Sequence, residues 1–331
     1  MELKKAINNT LKVGLSLLLG GLILYWMYRD FDFGHVGQVL RGMNWTWMLL
    51  SFPFGILAQM FRGWRWHLTL DPIGEHPRTS TCVNSIFLSY AVSLLVPRIG
   101  EFARCGVLRR YDGVSFPKAL GTVVMERAID SLLVMVIALL TFLLQIRIFN
   151  IFFSRTGTNI DAIFAGFSTA GYMVTAVCGI AVCVLCWYIM RRFAIYNKVK
   201  ATVKGIWQGV MSIRNVRHPL LFVAFTLAIW ASYFMHYYLT FFCFESTAHL
   251  GMACALVTFI VGSIAVIVPT PNGAGPWHFA VKTMLILYGV ADTDALNFVL
   301  IVHSIQTLLV VALGVYAWAA LSFTGKKALS K

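Results

Sequence analysis

Apolar runs long enough to cross a bilayer alternate with short polar stretches along the chain. The runs lack the every-second-residue alternation of a barrel strand, so they predict helices whose backbone groups bond within each span. Six such spans are predicted, at about 13–28, 45–61, 118–146, 162–190, 219–244 and 295–323. Polar stretches at 29–44 and 62–80 and a basic connector at 191–217 separate them. Trp45 and Trp47 at one end of the second span, and Trp64 and Trp66 at the other, read as interfacial belts.

Two stretches break this pattern. The apolar run 82–96 is too short for a comfortable span and leads into Val96-Pro97-Arg98-Ile99-Gly100-Glu101-Phe102-Ala103-Arg104. The run ending in Ile264-Ala265-Val266-Ile267-Val268 breaks at Pro269-Thr270-Pro271-Asn272-Gly273-Ala274-Gly275. Interrupted apolar segments at corresponding places in two halves point to a binding site in a transporter-like fold. They predict re-entrant helical hairpins at 81–110 and 251–290.

Residues 119–134 align without gaps on 295–310, with seven of 16 positions identical, and each copy follows a Val-Pro break. Three full spans separate equivalent points, and an odd number reverses direction, so the halves read as inverted repeats. The predicted fold is an all-α polytopic membrane protein with about six full transmembrane helices plus two re-entrant hairpins. It forms one integral membrane domain over 1–331. A first span and loop occupy 1–44, one repeat 45–146, a connecting span 162–190 and the second repeat 219–323.

Composition agrees. Of 331 residues, 59% are hydrophobic and 12% charged, against about 25% charged in soluble domains. A net charge of +14 could suggest nucleic acid, but the basic residues sit in short loops between spans, which argues against it. With both hairpins re-entrant, 21 of the 27 Lys and Arg share one side and four lie opposite. That bias predicts cytoplasmic N- and C-termini. The first span resembles a signal anchor without a cleavage site. Cys183 and Cys186 form a CxxC inside a predicted span with no second pair nearby, which favours packing over zinc. No cofactor is expected.

Glu126, Arg127 and Asp130 fall within the third span, with Glu126 and Asp130 on one helix face. Three charges facing lipid would cost roughly 9 kcal/mol, so they must face protein or water. Arg98, Glu101 and Arg104, three apart, suit one helix face, and the two arginines are the expected partners of the acids. The set reads either as a structural ion-pair lattice or as one that also presents arginines to a lipid phosphate. In that second reading the acids position the arginines or meet a cationic headgroup. In the second copy Val302, His303 and Gln306 replace Glu126, Arg127 and Asp130. The second break instead carries Asn272, Gly273, Gly275, His278 and Lys282, where glycines allow close approach and the half-helix favours an anion. A turn with a snorkelling lysine is the bland alternative.

Enzyme signals are weak. Asp30-Phe-Asp32 and Asp292-Thr-Asp294 fit a DxD pattern but read more simply as a loop and a helix start. His35, His67, His76, His218, His236 and His249 read as loop or interfacial residues. A membrane enzyme for a lipid-linked sugar or phosphate, and a non-transporting partner of a lipid-modifying enzyme, remain the competing functions.

With these motifs in order, the chain resembles integral membrane proteins sharing the transmembrane region of lysylphosphatidylglycerol synthases. The family's Pro-Arg-x-Gly-Glu-x-x-Arg break matches Pro97, Arg98, Gly100, Glu101 and Arg104. Its Glu-Arg-x-x-Asp span matches Glu126, Arg127 and Asp130, and its late Pro/Gly break matches Pro269 to Gly275. The likeness covers about residues 10–322. It implies the flippase half of such proteins, with the aminoacyl-transferring domain missing, hence lipid translocation in a bacterial inner membrane and no synthesis. A membrane lipid is the implied substrate. A second copy or a lipid-modifying enzyme is the expected protein partner.

Overall fold

The computed structural model describes residues 18–146 and 216–324, together with 14, 148, 204, 205, 207, 208, 211 and 212. The connecting span expected at 162–190, with its CxxC, lies outside the described residues. Among those described there is no strand. The helices of seven residues or more are α1 (Leu18–Tyr28), α2 (Val36–Gly42), α3 (Trp45–Leu70), α4 (Thr79–Leu95), α5 (Gly100–Asp112), α6 (Phe116–Leu144), α7 (Pro219–Tyr238), α8 (Met252–Ala265), α9 (Pro276–Leu287) and α10 (Asp292–Phe323).

By length and apolarity, α6, α7 with its 3-10 extension to Cys243, and α10 can cross a membrane. The second expected span is longer than its apolar stretch. With Asn44 capping Thr46 N at 3.1 Å, α3 runs to Leu70 and stops at Asp71-Pro72. Residues 62–70, expected as loop, are therefore helix. The reason is local: between Phe61 and Asp71 the one poor helix former is Gly63.

Both interrupted stretches are helix–break–helix hairpins. α4 packs on α5, and α8 on α9. In the first, Gly100 N donates to Ser93 Oγ at 3.2 Å, and a Cβ on Gly100 would collide with the Ser89 carbonyl. In the second, a Cβ on Gly262 would sit 2.9 Å from Trp277 Nε1 and 3.0 Å from Val281. Each hairpin thus closes through a glycine that admits the opposite leg. At 14 residues α8 rises about 21 Å, short of the ~30 Å hydrocarbon thickness.

The tips share one turn. Ile99 N donates to Val96 O at 3.3 Å around Pro97 and Arg98, and Gly273 N donates to Thr270 O at 3.1 Å around Pro271 and Asn272. Arg98 (φ 63°) and Asn272 (φ 52°) are the non-glycine residues with positive φ among those described. Proline pre-sets the second turn position, and the third takes the left-handed region, as in a type II turn.

Each hairpin has its own core. One gathers Trp66, Leu70, Cys82, Ile86, Cys105, Leu108 and Val123 around α4–α5. The other gathers Met48, Phe241, Ala255, Val281, Leu285, Phe298 and Val302 around α8–α9. α3 joins them, with Met48 in the second core and Trp66 in the first.

Candidate functional site

The two tips meet at one cavity of about 400 Å³. Pro97, Arg98, Gly100 and Glu101 line it from the first hairpin, and Pro269, Thr270, Asn272 and Gly273 from the second. α3 adds Gly55 and Gln59, α4 adds Tyr90, α6 adds Arg127, α7 adds Tyr233 and His236, and α10 adds His303, Gln306 and Thr307. Arg127 and His303, aligned in the sequence repeat, line the same space.

Behind the Arg98 side lies a buried ion lattice. Asp130 receives Arg62 Nη1 at 2.8 Å on Oδ2 and Arg65 Nη1 at 2.7 Å on Oδ1. Arg65 Nη2 also donates to Oδ2 at 3.1 Å, so that pair is two-pronged. Glu126 holds Arg104 Nη1 at 3.1 Å and faces Arg65 Nε at 3.6 Å. Glu101 meets Arg104 Nη2 at 2.7 Å and Arg127 Nε at 2.9 Å. The Arg104 guanidinium lies 4.6 Å from the Trp66 ring centre, and Trp66 Nε1 donates to Thr122 Oγ1 at 2.8 Å. Glu126 and Asp130 are both buried, as the cost of facing lipid requires.

Arg98 stands apart from this lattice. It does not share a helix face with Glu101 and Arg104, because α5 begins at Gly100 and Arg98 occupies the turn before it. Its Nη2 donates to the carbonyl oxygen of Ile267 at 2.8 Å. It is therefore no partner of Glu126 or Asp130, whose arginines come largely from α3.

On the second side, Asn272 Nδ2 donates to Thr307 Oγ1 at 2.7 Å, and His303 Nε2 donates to the Asn272 carbonyl at 3.1 Å. His278 is buried with its ring 4.4 Å from that of His303. Gly275 takes φ 92° and packs against Gly20 of α1, so it shapes the tip without lining the cavity.

Of the expected site residues, Arg98, Glu101, Arg127, Asn272 and Gly273 line the cavity. Arg104, Glu126 and Asp130 stand behind it and His278 lies beside it against His303. Lys282 does not line it. Four residues along α9 from His278, it pairs with Asp292 at 2.8 Å in a second cleft, also about 400 Å³. Asp30, Asp32 and His35 line that cleft too. Asp30 binds Arg29 at 3.0 Å, and Asp32 accepts from Gly34 N at 2.8 Å. Among the described residues no group of three or more His, Cys, Asp or Glu is placed to hold a metal ion.

Sequence reasoning missed Arg62 and Arg65, placed in a loop, and Trp66, placed at an interface. It also read His236 as a loop or interfacial residue, whereas its Nδ1 donates to Ser51 O at 2.8 Å within the cavity wall. The signal for the arginines was present: Arg62 and Arg65 are three apart in an uninterrupted helical run.

The family model described as Lysylphosphatidylglycerol synthase TM region matches residues 13–314, which contain both tips and the whole lattice. No curated protein matches the chain.

Proposed function

The chain belongs to the lysylphosphatidylglycerol synthase transmembrane-region family of integral membrane proteins, and on that premise we propose that it is a lipid flippase or scramblase. The headgroup passes through the cavity between the two tips while the acyl chains stay in the bilayer. One observation carries the reading: both breaks open on one cavity, and there Arg98 holds a carbonyl oxygen and no carboxylate. A guanidinium so placed is ready for a lipid phosphate. The buried lattice fixes α3, α5 and α6 around it.

The shared turn at the two tips supports repeated halves, which in this reading are inverted, one hairpin opening to the cytoplasm and the other outward. Arg62, Arg65 and Arg104 are interior and Arg98 lines the cavity at a hairpin tip, so the loop bias falls by four basic residues but keeps its sign. Cytoplasmic termini in a bacterial inner membrane fit that bias. Transport runs downhill or on an ion gradient, with no chemistry on the lipid. A second copy or a lipid-modifying enzyme is the protein partner this role suits.

The test uses proteoliposomes holding a fluorescent phospholipid, with dithionite bleaching the outer leaflet. Wild type exposes the inner-leaflet probe and Arg98→Ala does not, although both give the same thermal unfolding curve. Full translocation by a folded Arg98→Ala would overturn the role of Arg98.

A further inference from the structure

Resting on that translocation reading, we infer that the lipid phosphate moves together with a proton, and that His303 is the group that carries the proton. The internal repeat sets Arg127 of α6 against His303 of α10, and both line the cavity. The shared turn sets Arg98 against Asn272 in the same way. The first half thus offers a phosphate two arginines, which hold their charge at any working pH. The second half offers an amide and an imidazole, and imidazole is the side chain that gains or loses charge between about pH 5 and 8. A phosphate passing from the first tip to the second therefore meets a cation at His303 only when that ring holds a second proton.

Hydrogen bonding picks out the nitrogen. The Asn272 carbonyl can only accept, so His303 Nε2, 3.1 Å from it, carries a hydrogen. Nδ1 is then the basic position of His303. A proton there leaves the Asn272 bond in place and makes it charge-assisted. His278, with its ring 4.4 Å from that of His303, is the poorer site. Its Nδ1 accepts the Gly275 N–H at 3.4 Å, a bond that a proton on Nδ1 would break. It is also the third residue of α9, at a helix N-terminus that disfavours a cation, and what faces it from α1 is the edge of the Tyr28 ring. The other ionisable groups of the cavity wall are engaged elsewhere. Glu101 meets Arg104 and Arg127 at 2.7 and 2.9 Å. Tyr90 and Tyr233 bond each other at 2.7 Å, and His236 donates to Ser51 O. A charge on His303 thus finds its partner in an incoming anion. Proton and phosphate attract, so each raises the occupancy of the other, and by linkage the effect is equal in both directions. The same proton tightens the hold of α10 on the second tip while the phosphate is present.

The experiment places the full chain in vesicles of a neutral, phosphate-free galactolipid. They hold a trace of a fluorescent phospholipid, phosphatidylglycerol or phosphatidylethanolamine, and dithionite reads its leaflet. Potassium and valinomycin clamp the voltage. Under a pH step of about one unit, the carried probe should gather in the leaflet facing the alkaline side, up to about tenfold over the other leaflet for one proton per lipid. His303→Gln should slow movement by about tenfold or more, as loss of a charged hydrogen bond implies, and abolish the gathering. His303→Arg, a fixed cation, should move the probe but leave it evenly divided, at a rate level from about pH 5 to 8. That variant keeps the test open if the glutamine variant fails to fold. Movement by wild type with an even split, or gathering toward the acid side, would overturn the shared passage of proton and phosphate and leave translocation standing. Gathering that survives in both His303 variants would overturn His303 as the carrier. No movement of either probe by wild type at any pH would remove the translocation reading, and the coupling with it.

Discussion

Arg98 Nη2 donates to the carbonyl oxygen of Ile267 at 2.8 Å, so the tip of the first hairpin is tied to the last turns before the second. Arg98 also holds a positive φ of 63°. For a residue with a Cβ this costs about 1–2 kcal/mol, and such strain persists where the surroundings enforce it. Asn272, at the same turn position in the second tip, tolerates that region better.

Substituting Arg98 therefore separates backbone from side chain. Arg98→Gly relieves the strain and should leave stability unchanged or raised by up to about 1 kcal/mol, after the entropy of a new glycine is counted. It also removes the guanidinium, so phospholipid translocation should be lost. Thermal unfolding and the dithionite assay on one preparation read both effects. A glycine variant that still translocates would mean that the turn matters and the charge does not.

Asp130 carries the deepest electrostatic load. It faces Arg62 and Arg65 at 2.8 and 2.7 Å, and all three side chains are almost wholly buried. Asp130→Asn keeps the shape but leaves two buried guanidiniums without their main counter-charge. Breaking buried pairs in this way costs about 3–5 kcal/mol. Adding Arg62→Met should recover part of that loss, because one of the stranded charges goes with it. Melting temperatures of the single and double variants in detergent give the answer. A loss below 1 kcal/mol for Asp130→Asn would show that the lattice is hydrated or loose.

The sequence made the helices, both breaks and the acidic positions legible, because each rests on local chemistry: apolar length, Pro/Gly punctuation, and charge that lipid will not accept. Pairing was less legible. Arg98 and Arg104 looked equivalent at spacing three, but Pro97 and a positive φ put Arg98 in a turn, outside the helical period. Arg62 and Arg65 were hidden by a boundary error, since the helix continues nine residues past the end of the apolar stretch at Phe61. Lys282 followed His278 by four, a sound helical neighbour, yet Asp292 draws its ammonium to another cleft. That partner depends on how α9 meets α10, which spacing alone does not encode.

Two glycines of α5 make opposite predictions. Gly100 abuts the Ser89 carbonyl and Ser93 Oγ, so a methyl group there forces the legs of the first hairpin apart. Gly100→Ala should destabilise by about 1–3 kcal/mol or more, in the range of overpacked cores, and should reduce translocation. Gly106 has open space where a Cβ would sit and lies within the helix. Gly106→Ala should stabilise by about 0.5–1 kcal/mol through helix propensity. Equal behaviour of the two alanine variants would refute the close packing of α4 on α5.

The second cleft supplies a control for the first. Lys282 and Asp292 meet at 2.8 Å, but the Asp292 side chain is 60% exposed, and exposed pairs contribute about 0–1 kcal/mol. Lys282→Ala should lower stability by less than about 1 kcal/mol and leave phospholipid translocation at the wild-type rate. Arg98→Ala in the same assay should abolish it. The contrast matters because both are basic residues at or near a hairpin's second leg, and a general electrostatic attraction of anionic lipid would make them similar. A lysine variant as inactive as Arg98→Ala would place the second cleft on the lipid's path. It would also show that the cavity between the tips is not the whole route.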